Sequence, residues 1–409
     1  MGLLKLLPGT ALVRWQLGYR TGTCVGRGLA LAFMLTATLS GPAVARAQEI
    51  AKLQEGVSAL NEGQQLVAAG KPKSIYQGIE KYRQAAALFH AGGLVQGEVV
   101  ALTAIGMAYS TLEEWDNAVK NFSLAIPLAR PLKEPVIEGT ALTGLGFTYT
   151  LSGQYSKAIS AYGEALPLFQ GSTGAQEQTV KSGVLMGLGM NYIRTGDQAK
   201  GFRYLEQALA LKRELKDTAG EAQVLTIMGA TYLQIGQAGK ALDLDERALA
   251  LAQSTGDTHS EALATGVLGG VYRDLGQNEK ALEYFKRELA YRRALGDPST
   301  IASCFNHIAS VYANMNETAK AFSYYNQALE IKRDTSTLNN LGALYNTTGD
   351  YQRSLESYTE ALSLARQEVE YRGESAALNK YRRPLFCAWC ARKSAGLLQT
   401  SSADHASDE

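Results

Sequence analysis

Small and large apolar positions recur along the chain in one fixed order. The segment Leu145-Gly146-Phe147-Thr148-Tyr149 holds a G-x-x-Y core that returns as Gly106…Tyr109, Gly146…Tyr149, Gly189…Tyr192, Gly229…Tyr232, Gly269…Tyr272, Ala309…Tyr312 and Gly342…Tyr345. Successive spacings are 40, 43, 40, 40, 40 and 33. Twelve residues after each glycine position stands a small residue, and seven beyond that an alanine in most copies: Ala118/Ala125, Ala158/Ala165, Gly201/Ala208, Ala241/Ala248, Ala281/Glu288, Ala321/Ala328 and Ser354/Ala361. A more diverged copy spans Ala51 to Leu94, with Gly78, Tyr82 and Ala85 in the second-helix positions. The pattern predicts antiparallel helix pairs. Small residues let two helices approach closely, and the tyrosine and leucines fill the space between them and the neighbouring pair.

The punctuation agrees with this reading. Gly153, Gly196, Gly236, Gly276 and Gly349 stand where a first helix must stop, and glycine takes the left-handed conformation of such a turn at little cost. Second helices close on Gly256-Asp257 and Gly296-Asp297-Pro298, where Asp caps the next helix and Pro fits its first turn. Thr218-Ala219-Gly220-Glu221 and Thr258-His259-Ser260-Glu261 both fit a capping box.

These residues resemble the tetratricopeptide repeat family, whose unit carries a small residue, a tyrosine and two alanines at the same offsets. The family's standard period is 34, which only the last copy approaches. The longer unit is similar to the repeats of kinesin light chains and of bacterial proteins whose solenoid precedes a CHAT protease-like domain. The resemblance covers about residues 51 to 379 and implies an all-α fold, a right-handed superhelical solenoid of antiparallel helix pairs. It also implies a function: capture of a protein or peptide segment in the inner groove.

In that fold the side chains three before, one after and four after the key glycine face the groove. The candidates are Thr103, Met107, Thr143, Phe147, Met186 and Met190 toward the N-terminus, and Arg273, Asn306, Ser310, Asn339 and Asn346 toward the C-terminus. Apolar pockets at one end would take side chains, and Asn amides at the other would hold a backbone. The basic clamp with which some relatives hold a terminal carboxylate is missing.

Composition narrows the class. Lys+Arg and Asp+Glu number 40 and 39 in a chain of 409 residues, and no basic stripe points to nucleic acid. Hydrophobic residues make up 46%, which excludes wholesale disorder. Near the N-terminus Lys5, Arg14, Arg20 and Arg27 precede the apolar run Leu29 to Leu39, followed by Ala43-Val44-Ala45 and Ala45-Arg46-Ala47. This is the pattern of an export signal over residues 1–47. The run falls short of the roughly 20 residues a membrane helix needs, so a retained anchor is the weaker alternative and no stable span is expected after cleavage. The expected mature domain plan is a diverged repeat or cap at 48–94, seven repeats at 95–372, a capping helix or truncated repeat at 373–393, and a disordered tail at 394–409. Arg382 replaces the next expected glycine and Pro384 interrupts the helix there.

Catalytic chemistry has thin support. Cys304 and His307 lie three apart on one helix, but no third group or oxyanion donor accompanies them. Cys387-Ala388-Trp389-Cys390 has redox spacing; in an oxidising compartment it reads first as a local disulfide, with an accidental pair and a redox motif as alternatives. No nucleotide or metal motif is present, so no cofactor is expected. The reading is a non-enzymatic binding scaffold, periplasmic or extracellular, with a regulatory or sensor subunit of a separately encoded effector as the alternative and a thiol enzyme third. Mass spectrometry of the exported protein is expected to find a new N-terminus at Arg46 or Gln48, after cleavage at Ala45 or Ala47.

Overall fold

A computed structural model of the chain describes residues 43–372, apart from Asp297. The expected signal segment up to residue 42, Cys24, the Cys387/Cys390 pair, the expected cap at 373–393 and the tail at 394–409 lie outside the described residues. The chain divides between Asp217 and Thr218 into two compact units. The N-terminal unit comprises α1 (Ala43–Ala68), α2 (Pro72–Ala91), α3 (Val95–Thr111), α4 (Trp115–Ala129), α5 (Pro135–Leu151), α6 (Tyr155–Ala165), α7 (Ala175–Thr195) and α8 (Gln198–Glu214). The C-terminal unit comprises α9 (Thr218–Gln234), α10 (Ala238–Thr255), α11 (Thr258–Asp274), α12 (Asn278–Leu295), α13 (Pro298–Asn314), α14 (Thr318–Ile331), α15 (Thr335–Thr347) and α16 (Tyr351–Arg372). Odd and even helices form the expected pairs, each packed on the next within its unit, and no strand occurs among the described residues.

Close approach at glycine drives the pairing. In the N-terminal unit the ring of Phe122 on α4 lies where side chains at Gly106 on α3 and Gly144 on α5 would stand, their Cβ atoms falling 2.9 and 2.5 Å from it. Tyr162 on α6 fills the same place between Gly146 on α5 and Gly187 on α7, at 2.9 and 2.3 Å. One aromatic plug thus keys its own pair and locks into the next. Phe122 and Tyr162 are buried together with Ile105, Leu142, Val184 and Leu188 in one core. The diverged first pair follows the rule, with Gly78 against Val67 and Tyr82 in the core. In the C-terminal unit Phe285 stands against Gly269 at 2.6 Å, and Tyr358 against Gly342 at 3.0 Å.

The helix ends follow from local chemistry. Gly196, at φ 97°, closes α7, and Gly256, at φ 64°, closes α10. Asp197 caps α8 by accepting from the Lys200 N–H at 3.1 Å. Asp334 caps α15, accepting from the N–H groups of Ser336 and Thr337 at 2.8 and 3.0 Å. At α11 the capping-box expectation shifts by one residue. Asp257, not Thr258, accepts the His259 N–H at 3.1 Å and the Ser260 hydroxyl at 2.6 Å, and Thr258 is the first helical residue.

In every repeat after the first, where Asn117 follows Tyr109, a basic residue eight positions after the repeat tyrosine clamps the turn from outside. Lys157 lies 5.6 Å from the Tyr149 ring, Lys200 5.3 Å from Tyr192, Lys240 5.1 Å from Tyr232, Lys280 5.0 Å from Tyr272, and Lys320 5.1 Å from Tyr312. Each such contact adds about 0.5–1 kcal/mol at an exposed site. It ties the start of a second helix to the end of the first.

Two glycines of the N-terminal unit should respond oppositely to a methyl group. Gly187→Ala drives a Cβ into the buried Tyr162 ring, and overpacking of this kind costs about 1–3 kcal/mol, more than the helix propensity gained. Gly163→Ala on the exposed face of α6 meets nothing within 4 Å and should stabilise by about 0.5–1 kcal/mol. Urea denaturation of both variants measures the two signs.

Candidate functional site

The first helices of the repeats carry the candidate binding residues, and their exposure changes along the chain. In the N-terminal unit α3 packs directly on α5, and α5 on α7. Thr103, Thr143, Phe147, Met186 and Met190 are all buried there, at 6, 7, 2, 1 and 4% exposure. Met107 is half-buried against the same core. Phe147, Met186 and Met190 are thus enclosed within the chain and do not lie open on its surface. Polar groups between the same helices satisfy one another: Ser110 and Thr148 share a hydrogen bond at 2.7 Å, and the Asn191 amide donates to Thr150 Oγ1 at 2.8 Å.

The same face is buried on α9, at Thr226, Ala230 and Leu233, and at Gly266 and Gly270 on α11, and becomes more open at α13 and α15. Arg273 on α11, Asn306 and Ser310 on α13 and Asn339 on α15 are half-buried, and Ala343 and Asn346 on α15 are exposed. The structure brings α13 and α15 together through amides, since Asn340 Nδ2 donates to Asn306 Oδ1 at 3.1 Å. Asn339 Oδ1 is itself buried and finds no hydrogen-bond partner among the described residues. Ser310 donates to the carbonyl of His307 at 2.7 Å. The Arg273 guanidinium is taken by Asp274, with Nε and Nη2 at 3.0 and 2.8 Å from Oδ1. The face is thus amide-rich and locally neutral.

Beneath it lies an ionic group that the repeat pattern alone signals. Glu288 on α12 stands where other copies carry Ala, and it is 3% exposed. Gly266 on α11 makes the room, since a Cβ there would lie 2.8 Å from the Glu288 carboxyl carbon. Arg292 Nε lies 3.5 Å from Glu288 Oε1, and His307 Nδ1 lies 3.6 Å from Oε2. Neither distance is a hydrogen bond, so Arg292 offsets the Glu288 carboxylate by charge and proximity only, with the His307 ring beside it. The His307 ring also packs on Phe285, centroids 5.0 Å apart.

Cys304 and His307 do share this region, as their spacing implies. Cys304 is fully buried, and burial first, then the nearby Glu288 carboxylate, pushes its thiol well above the usual range. A reactive cysteine needs the opposite environment. Among the described residues no group of three or more His, Cys, Asp or Glu could hold a metal ion, and no helix is long and apolar enough to cross a membrane.

The helix pairs and their glycine-keyed packing define a helical-repeat protein. Family models for the tetratricopeptide repeat match residues 98–171, 182–254, 260–334 and 335–371, and the chain belongs to that family. Comparison with curated proteins finds no match. Among solved structures, a Rap protein complexed with competence and sporulation factor is 17% identical, over 85% of this chain and 99% of that one, with a TM-score of 0.55. The apo form of RapI is 13% identical, over 86% of this chain and 99% of that one, with a TM-score of 0.54. Nearly identical TPR-like repeats of a kinesin light chain from Podosopora anserina are 16% identical, over 47% of this chain and 93% of that one, with a TM-score of 0.39. These likenesses concern the fold.

The buried thiol gives a direct measurement. In the native protein the Cys304 peptide should be labelled by N-ethylmaleimide far more slowly than after unfolding in urea, as read by mass spectrometry. Labelling at the rate of a free thiol would refute the packing described.

Proposed function

We propose that the chain is a non-enzymatic binding scaffold that holds an extended protein segment against α13 and α15. The observation that carries this reading is the amide-rich, half-open face of Asn306, Ser310, Asn339 and Asn346. Asn amides offer both donors and acceptors, which suits the alternating N–H and C=O groups of a backbone. Arg273, the cation among the candidate groove residues, is matched by Asp274, so a partner recognised by a terminal carboxylate is disfavoured. A Rap protein of the same fold, solved with competence and sporulation factor, supports ligand capture by analogy of fold only. The signal-like N-terminus supports a place outside the cytoplasm, in the periplasm or beyond.

Selection of a displayed random peptide library on the purified protein tests the proposal. Selected peptides should bind the wild-type chain, and the double substitution Asn306→Ala, Asn339→Ala should weaken them at least about tenfold. That factor corresponds to about 1.4 kcal/mol, the worth of one or two net hydrogen bonds. Lys286→Ala on exposed α12 serves as the control and should leave affinity unchanged. A library that yields no binder, or binders indifferent to the amides, would overturn the reading.

A further inference from the structure

Sixteen residues after the key glycine position each pair carries the plug that fills its interior: Phe122, Tyr162, Leu205, Phe285, Tyr325 and Tyr358, none more than 4% exposed. In the α9–α10 pair that position holds Asp245, and it is 0% exposed. Its carboxyl occupies the space against Gly229, where a Cβ would fall 2.1 Å from Oδ2. Neither Oδ1 nor Oδ2 has a hydrogen-bond partner.

Glu288 supplies the contrast. There an acidic residue entered a core position together with Gly266 opposite it and Arg292 and His307 beside it. Asp245 has no such company. On α10 itself Lys240 is engaged over the Tyr232 ring of α9, and Glu246 accepts from the Tyr272 hydroxyl of α11 at 3.4 Å. Arg273 of α11 is bound to Asp274. Of the remaining ionisable groups on the packed helices, Glu221 on α9, Asp243 and Arg247 on α10, and His259 and Glu261 on α11, none contributes to the state of Asp245; burial alone raises its pKa well above the ordinary carboxyl range. The pair lacks both the volume of an aromatic plug and a counter-charge.

We propose that Asp245 makes the α9–α10 pair a pH-gated weak point of the C-terminal unit, closed while the carboxyl is protonated and prone to local opening where it ionises. The unfolded pair releases the Asp245 proton in the ordinary carboxyl range, whereas the closed pair retains it to higher pH. The stabilising contribution is therefore complete in acid and is lost as pH rises toward the folded-state value, beyond which opening becomes independent of pH. Within that window the opening equilibrium grows up to about tenfold per pH unit.

Hydrogen exchange of the full chain, followed by mass spectrometry from pH 4.5 to 8 and corrected for the intrinsic exchange rate, reads this opening. Amides within 218–255 are expected to open more as pH rises, while those of α13 and α14 show no such slope. Asp245→Asn should abolish the slope yet leave the pair loose. Asp245→Leu, which restores the kind of plug found at Leu205, should abolish the slope and slow exchange. A wild-type α9–α10 pair whose opening does not vary with pH, or an Asp245→Asn variant that keeps the slope, would overturn the proposal.

Discussion

Everything in this fold depends on how near two helix backbones can come. The repeat glycine removes a side chain from the first helix, and a large residue from the second helix takes the vacated volume. Phe122 and Tyr162 show that the same plug reaches past its own pair, because Gly144 and Gly187 on the following first helices are also bare. Packing energy scales with such complementary contact, so one missing Cβ on each side sets the spacing and order of neighbouring pairs. The capped turns and the Lys–Tyr contacts then fix helix ends that packing has already placed.

The pairs were legible in the sequence for this physical reason. A close approach tolerates only a small residue, so Gly106, Gly146, Gly189, Gly229, Gly269 and Gly342 mark it without ambiguity. The candidate face was legible only in part. Met186 and Phe147 occupy groove-facing offsets, yet their exposure depends on how tightly one first helix leans on the next, which no single repeat encodes. Where α3, α5 and α7 press together, the face is consumed by packing. At α13 and α15 the Asn positions stayed more open, as their polarity implied.

The buried acids show what comparison within one chain can reveal. The Glu288 exception to the alanine rule is visible in sequence, but its partner Gly266 becomes meaningful only once the two are seen face to face. Asp245 was equally visible at the plug position, since six other copies place Phe, Tyr or Leu there. The relevant signal was the side chain that fills the gap as much as the glycine that makes it. His307 and Cys304, adjacent as their spacing required, turn out to belong to core packing around Glu288, in surroundings that suppress thiolate formation.

The double sockets of Phe122 and Tyr162 also limit how this stretch of the chain can grow or shrink. Each of these two plugs is seated against its own first helix and that of the following pair. A recombination event that cuts between the helices of a pair leaves either a bulky ring without its hollow or two bare glycines facing an empty space. Breaks that fall after a second helix move plug and primary socket together, and the incoming first helix needs only a glycine two positions before its own key residue. The natural unit of inheritance in this architecture is the whole helix pair, and its grammar is written in the spacing between glycine and ring.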